Sequence, residues 1–286
     1  MIGYNKLGSN GRLGNQMFQY AALRGIAANR GYDWVIPPDT YDHKDNYGLF
    51  ETFELSNVKP NNIGFVKGNH IQENDHCFIP DFFEECPDDV ILDGYFQTEK
   101  YFIHIENEIR EDFTFRKEYL DPCNEYIDSL CCDPIFLHVR RTDGIGREQY
   151  HSLLPISYFE EALTQFPENT QCFVFTDDIE WCKKQEFFKQ DRFLFNESNG
   201  KYSYKTIDGT GIFQNTILPQ VDLCLMSLCS GAIIANSTFS WWGAWLQNNR
   251  GKVVAPDPKK WFGTANSHLD TSDIIPDRWF VQNWSK

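Results

Sequence analysis

The sequence predicts an α/β protein built from two Rossmann-like domains. In its second half, short apolar segments alternate with amphipathic segments of roughly 10–15 residues, a spacing typical of parallel β-α-β units. Apolar segments such as "PIFLHV" and "QCFVFT" are nearly uninterrupted, as expected for parallel strands that are covered on both faces. A length of 286 residues accommodates two domains of ordinary size.

In the first half, the hydrophobic pattern predicts secondary structure clearly at the beginning and poorly in the middle. "IGYNKL" is predicted as a strand, and the glycine-rich "GSNGRLGNQ" leads into a helix from about Asn15 to Arg30, where apolar residues recur at helical spacing. Residues 38–89 show no clear pattern. The remaining predictions are strands at "DWVIP" and "DDVILDGYF" and helices at "QTEKYFIHIENEIREDF" and "DPCNEYIDSLCC".

The second half alternates more regularly. The predicted strands are "PIFLHV", "QCFVFT", "RFLF", "GAIIAN" and, as the final one, "KVVAP". The predicted helices are "PISYFEEALTQF", "DDIEWCKKQEFF", "LPQVDLCLMSLC" and "STFSWWGAWLQNN". We place the domain boundary between residues 132 and 133, which gives domains 1–132 and 133–286, with the last residues packing back on the first domain.

Composition excludes several classes of function. The formal net charge is -15, which disfavours general binding to nucleic acid or to anionic membranes. We find neither a signal peptide nor an apolar stretch of the roughly 20 residues that span a bilayer, and we expect a cytoplasmic protein. The nine cysteines include no C-x-x-C pair, so we expect reduced thiols that mostly fill the core.

Polar side chains follow three of the predicted strands. They are His138, Arg140 and Arg141, then Asp177 and Asp178, then Asn236, Ser237 and Thr238. Ligands of open α/β sheets bind outside the carboxyl ends of the strands. Arginines offer forked donors for phosphate oxygens, and a helix N-terminus favours anions. Because aspartates can accept hydrogen bonds from a base or a ribose, the sequence predicts a site for a nucleoside diphosphate.

Five segments carry a family resemblance. "HVRRTD" resembles the H-x-R-R-x-D motif of the α1,2-, α1,6- and protein O-fucosyltransferases. The α1,2-fucosyltransferase family has blocks similar, in the same order, to "GRLGNQMFQYAA", "DGYFQTEKYF", "FTDDIEWCK" and "IIANSTFSWWGAWL". The resemblance spans Gly11 to Pro256.

The resemblance implies two facing Rossmann-like domains of the GT-B type of glycosyltransferase. The first would lie mainly on the acceptor side and the second would bind GDP-fucose. It also implies inverting transfer of L-fucose to the 2-hydroxyl of a terminal β-galactoside, with no metal and no cofactor besides the donor substrate. The sequence contains no Asp-x-Asp, the usual manganese–diphosphate device of the other large glycosyltransferase type.

The resemblance also assigns roles at the nucleotide. Arg140 would hold the β-phosphate and stabilise the departing GDP. His138 would contact the guanine or its ribose, although a buried, satisfied histidine is the alternative. We favour Asp178 over Asp177 for the guanine and expect one of the two to cap a helix. Ser237 and Thr238 would contact phosphate, cap a helix, or both.

Other residues in these motifs receive structural roles. We expect Arg141 to orient Asp143 by an ion pair, and Asp143 to cap the loop. Trp241, Trp242 and Trp245 fall three to four residues apart, which favours a core position over a sugar platform.

The glycine-rich loop of the first domain contains Gly11, Arg12, Gly14 and Asn15, and its glycines would let the backbone approach the donor. Asn15 resembles the position where protein O-fucosyltransferases place an asparagine beside the reacting centre. The alternative is that Asn15 is the N-cap of the following helix.

Two carboxylates are candidates for the general base. Glu148 lies ten residues after His138, a spacing similar to the α1,6-fucosyltransferases, whereas typical α1,2 enzymes continue as in "RRGDYV". Asp143 is the second candidate, and a reaction without a dedicated base is the third possibility. The alternative functions are a fucosyltransferase of another linkage, a transferase that uses another GDP-sugar, a non-catalytic glycan-binding protein and a nucleotide-binding scaffold.

Overall fold

The computed structural model describes residues 1–40, 48–130, 132–195, 201–205, 212–248 and 251–284, with the backbone alone for 201–205 and 212–217. The chain divides into two compact units. The first contains Met1–Arg116 and Leu269–Pro276, and the second contains Lys117–His268 and Asp277–Lys286.

The first unit is built on a four-stranded parallel sheet with strand order β2-β1-β4-β3. Its strands are β1 (Ile2–Gly3), β2 (Trp34–Val35), β3 (Asn69–Gln72) and β4 (Val90–Asp93). Its helices are α1 (Leu13–Arg30), α2 (Gly48–Thr52), α3 (Pro80–Glu84) and α4 (Glu106–Asp112).

Helix α1 is the longest of the described elements and is buried along most of its length. It starts two residues before the predicted Asn15 and ends at the predicted Arg30. Gly31 terminates it in the left-handed conformation, with φ of 67°, and its N–H returns to the carbonyls of Ala27 and Ala28.

The second unit is built on a six-stranded parallel sheet with strand order β12-β11-β10-β5-β6-β7. An antiparallel hairpin of β8 and β9 is separate from it. The strands are β5 (Ile135–Val139), β6 (Cys172–Thr176), β7 (Phe193–Phe195), β8 (Lys201–Lys205), β9 (Ile212–Ile217), β10 (Ala232–Ile233), β11 (Val253–Pro256) and β12 (Phe280–Gln282). The helices are α5 (Lys117–Ser129), α6 (Ile156–Leu163), α7 (Ile179–Lys184), α8 (Pro219–Leu228) and α9 (Thr238–Trp245).

The core position of the tryptophans is confirmed. Trp241, Trp242 and Trp245 are fully or almost fully buried, and the rings of Trp241 and Trp245 stack with centroids 6.4 Å apart. The eight cysteines within the described residues form no disulfide, and six of them are buried. Cys131 lies outside the described residues.

Several boundaries differ from the sequence-based ones. The units divide between Arg116 and Lys117 instead of 132 and 133, because α5 packs on α8 of the second unit, with Cys123 Sγ 3.9 Å from the carbonyl oxygen of Val221. The helix predicted over 97–113 is broken, since two 3-10 turns precede α4. Strands β3, β8, β9 and β12 were not predicted, and β12, rather than "KVVAP", is the final strand.

Among the described residues, no helix combines the length and the apolar character that crossing a membrane requires.

Candidate active site

Asp177 fixes the loop that leaves β5. Its carboxylate accepts hydrogen bonds from the backbone N–H groups of Arg141 (2.8 Å) and Thr142 (3.1 Å) and from the Thr142 hydroxyl (2.5 Å). Because Asp177 directly follows β6, these bonds tie together the carboxyl ends of two neighbouring strands. The aspartate therefore sets the path of the chain where the two arginines lie.

Arg140 lies between two carboxylates. Its Nη2 pairs with Oδ2 of Asp143, and its Nε lies 3.4 Å from Oδ2 of Asp177. The Arg140 side chain is 27% exposed, so it is anchored by its partners yet accessible from solvent. We call Arg140, Arg141, Asp143, Asp177 and Asp178 the arginine cluster.

Arg141 points towards α7. Its guanidinium carbon lies 3.9 Å from the centroid of the Trp181 ring, and its Nε lies 3.5 Å from Oδ2 of Asp178. The prediction that Arg141 orients Asp143 is wrong. The loop turns back after β5, so that Asp143 meets Arg140, three residues earlier, whereas Arg141 stacks on the neighbouring helix.

His138 is a buried, neutral ring at the end of β5. It is 6% exposed, and its centroid lies 6.3 Å from that of Phe239 in α9. Burial lowers the pKa of His138 to about 3; the charge of Arg140 adds to this effect and that of Asp177 opposes it. Its Nδ1 has no hydrogen-bond partner within the described chain. The contact of His138 with the guanine or its ribose stays a prediction.

Of the two aspartates, Asp178 is the one that caps a helix. Its Oδ1 accepts a hydrogen bond from the backbone N–H of Trp181 at 3.1 Å, at the start of α7. The cap role, left open between the two aspartates, thus falls to Asp178, while Asp177 binds the loop. That Asp178 contacts the guanine stays a prediction.

The carboxyl end of β10 lies beside that of β5, because these two strands pair in the sheet. The Nδ2 of Asn236 donates to the backbone carbonyls of Ser152 and Trp261, both at 2.9 Å, so this side chain joins two loops. Ser237 occupies the N-cap position of α9 without a side-chain capping bond, and Thr238 is the first residue of the helix. Their contacts to phosphate stay predictions.

Glu148 lies on an exposed loop after β5. Its Oε1 accepts a hydrogen bond from the backbone N–H of Gly146 at 3.0 Å. Hydrogen bonds from its own backbone N–H and from that of Gly146 hold the pKa of Glu148 below its ordinary value. A lowered pKa makes a carboxylate a weaker base, and its role as general base stays a prediction.

The glycine-rich loop of the first unit leads into α1. Arg12 is the N-cap residue, so Asn15 lies in the first turn, and the N-cap alternative for Asn15 is wrong. Oδ1 of Asn15 accepts a hydrogen bond from Nε2 of Gln97 at 3.2 Å. Gly14 is buried within the helix. Roles for Arg12, Gly14 and Asn15 at a donor stay predictions.

Two members of this region were missed by sequence reasoning. Thr142 bonds to Asp177, and Trp181 supports Arg141. The signal for Trp181 was present, because a residue three positions after a helix N-cap lies in the first turn, close to the preceding strand end.

The α/β fold with two parallel sheets is of the GT-B type, and the arginine–carboxylate cluster lies at the carboxyl edge of one of these sheets. The chain belongs to glycosyl transferase family 11, whose model matches residues 1–267.

Relatives agree with this membership, and solved structures are similar in fold. An α-1,2-colitosyltransferase of Escherichia coli is 33% identical, over 94% of this chain and 95% of that protein. A galactoside 2-α-L-fucosyltransferase of Caenorhabditis elegans is 27% identical, over 94% and 74% respectively. The fold is similar to the NodZ α-1,6-fucosyltransferase soaked with GDP-fucose, with a TM-score of 0.50 and 12% identity over 86% of this chain and 91% of that one. It is also similar to POFUT1 in complex with GDP, with a TM-score of 0.50 and 11% identity over 88% and 95%.

Proposed function

We propose that the protein transfers L-fucose from GDP-fucose to the 2-hydroxyl of a terminal β-galactoside, with inversion at the anomeric carbon. The arginine cluster carries the proposal, because it places an anchored, accessible guanidinium at the strand ends where nucleotides bind in α/β sheets. The relative named galactoside 2-α-L-fucosyltransferase supports the donor, the acceptor and the linkage.

In this reaction the acceptor oxygen forms a bond to the anomeric carbon while the bond from that carbon to the diphosphate oxygen breaks. GDP leaves with the electron pair, and negative charge develops on its β-phosphate. Arg140 would stabilise that charge with charge-assisted hydrogen bonds. Because a guanidinium can neutralise a leaving diphosphate, we propose that transfer needs neither a divalent metal nor a cofactor.

The neighbouring groups would position the nucleotide. His138 is uncharged at neutral pH, so its ring would contribute a hydrogen bond to the guanine or ribose without adding to the positive charge. We assign phosphate contacts to Ser237 and Thr238. The hydroxyl proton would pass to Glu148 or Asp143, or leave without a dedicated base.

A second donor is supported by one comparison. The relative named α-1,2-colitosyltransferase has a higher identity to this chain than the galactoside 2-α-L-fucosyltransferase has. Colitose is fucose without its 3-hydroxyl, so one cluster at the diphosphate serves either sugar.

The test is a transfer assay in EDTA with lactose as acceptor and GDP-fucose, GDP-colitose or GDP-mannose as donor. We expect fucosyllactose and stoichiometric GDP. Arg140→Ala should lower the rate on the order of 10²-fold or more, and Arg140→Lys less. Arg278→Ala, at an exposed arginine outside the cluster, is the control and should keep the wild-type rate.

No product with any β-galactoside would refute the acceptor class. Faster transfer from GDP-colitose would reassign the donor. A near-normal rate for Arg140→Ala would remove its role.

A further inference from the structure

A polar cavity lies in the first unit, beyond the carboxyl ends of β3 and β4. Its volume is about 210 Å³, below the roughly 300–1,000 Å³ of pockets for drug-sized ligands. Three carboxamides and three carboxylates contribute to its wall: Asn10, Gln72, Asn74, Glu73, Asp75 and Asp93. A compact, strongly polar ligand would match this lining.

Glu73 is the buried group of this wall, with 8% of the residue exposed. Its Oε2 accepts hydrogen bonds from the backbone N–H groups of Tyr95 (2.6 Å) and Phe96 (2.8 Å). Its Oε1 has no hydrogen-bond partner within the described chain. One oxygen of the carboxyl group is thus fixed by backbone donors, and the other receives no hydrogen bond from the described residues. A buried polar atom of this kind indicates a ligand contact, because leaving it unpaired is unfavourable.

Aromatic rings form another part of the wall. The rings of His76 and Tyr95 are nearly parallel, at 17°, with centroids 5.8 Å apart. Burial lowers the pKa of His76, with the charge of Asp75 opposing this shift, so the stack is uncharged at neutral pH. Asp75 Oδ1 accepts hydrogen bonds from the N–H groups of His76 (2.8 Å) and Asp270 (2.6 Å), which fixes the segment that carries the stack.

The charge of the cavity selects among ligand classes. Carboxylates repel the diphosphate of a sugar nucleotide, so the donor is a poor ligand here. The carboxylates are bound to protein donors, since Asp75 caps backbone N–H groups and Asp93 pairs with Lys6. Within the described residues, no three histidine, cysteine or acidic side chains are arranged to hold a metal ion. A neutral ligand with several hydroxyl groups fits best, because hydroxyls donate to carboxylates, accept from carboxamides and leave an apolar face for the rings.

We infer that this cavity binds one neutral monosaccharide unit of the acceptor glycan, and that Oε1 of Glu73 accepts a hydrogen bond from one of its hydroxyl groups. The inference rests on the proposed function for the identity of the acceptor, and it names the part of the chain that recognises it. Asn74 and the His76–Tyr95 stack would complete the subsite.

The experiment measures hydrogen exchange of the full chain with and without methyl β-D-galactopyranoside, methyl β-D-glucopyranoside and methyl N-acetyl-β-D-glucosaminide. We expect at least one glycoside to protect residues 72–76 and 93–95. At about pH 8, above the pKa of about 7 that burial gives Glu73, Glu73→Gln should weaken that binding on the order of tenfold or more, since a hydrogen bond to a charged group is replaced by one to a neutral amide. Glu84→Gln, which removes an exposed carboxylate of the same unit, is the matched control and should leave the affinity unchanged.

Protection by none of the glycosides, or equal affinity of a folded Glu73→Gln variant, would overturn the inference. If Glu73→Gln does not fold, Asn74→Ala replaces it as the test, and unchanged affinity for the glycoside would overturn the inference. Asn74 is exposed and forms part of the wall. Protection of these segments by Mg²⁺ or Mn²⁺ alone would show a cation site instead. GDP affinity and GDP-fucose turnover, measured on the same samples, keep the two hypotheses separate. Sugar protection without fucose transfer would refute only the proposed function, and transfer without protection would refute only the subsite.

Discussion

Replacing Glu73 with glutamine should remove a large pH dependence from the stability of the protein. Burial raises the pKa of Glu73 from its ordinary 4.5 to about 7 in the folded chain; hydrogen bonds from the N–H groups of Phe96 and Tyr95 oppose this shift, and the charge of Asp75 adds to it. Between these two pH values the folded state keeps a proton that the unfolded state has lost. The free energy of unfolding therefore falls as the pH rises through this window.

The size of the effect follows from the shift. One pKa unit corresponds to about 1.4 kcal/mol. The free energy of unfolding therefore falls by up to about 3 kcal/mol by the time the pH exceeds 7. Glutamine does not titrate, and its oxygen can still accept the two backbone hydrogen bonds. The stability of Glu73→Gln relative to wild type should therefore increase by roughly 2–3 kcal/mol between about pH 5 and 8.

Urea unfolding of both proteins across this pH range gives the measurement, with fluorescence and circular dichroism followed together to check that one transition is observed. The other groups titrate alike in both proteins, so the difference between the two free energies of unfolding reports on Glu73 alone. Glu84→Gln should show no such trend. A difference between Glu73→Gln and wild type that stays constant from about pH 5 to 8 would refute the reasoning, because Glu73 would then titrate as a solvated carboxyl group.

Two further substitutions test the packing and the arginine cluster. Asp112→Asn leaves the buried Arg24 without the opposite charge that it contacts, so urea unfolding should show a loss of about 3–5 kcal/mol; a loss below about 1 kcal/mol would contradict this. Asp177→Ala releases Thr142 and one partner of Arg140, so the KM for GDP-fucose should rise about tenfold or more while circular dichroism stays unchanged. Wild-type kinetics would show that the loop keeps its path without the aspartate.

The fold was predictable where the burial of an element determines its pattern of apolar residues. Strands β5 and β6 are almost entirely apolar because both faces of their sheet are covered, and they were predicted close to their observed bounds. Strand β3, "NHIQ", lies at the edge of its sheet and is mostly exposed, so it carries no apolar pattern. The exposed edge strand β12 was missed because its three residues are too few to show a period. Residues 196–200 and 206–211 lie outside the described residues.

The candidate site was predictable in its location but not in its pairings. The rule that polar residues at parallel strand ends share one edge brought the ends of β5, β6 and β10 together. Which arginine meets Asp143 depends on how the loop turns back, and side-chain alternation stops at the end of a strand. Glu73 lies in the unpatterned stretch 38–89, and its importance depends on a turn around residues 94–96 that only the folded backbone reveals.

The path of the chain has a consequence for protein engineering. The backbone leaves the first unit after Arg116 and returns for Leu269–Pro276, where Asp273 pairs with Lys100 and accepts the N–H of Phe78. A ribosome must therefore synthesise the chain as far as Pro276 before that unit possesses all of its parts. A hybrid that exchanges this unit between relatives requires two grafts, and a fragment cut at the first crossing would lack the residues that close it.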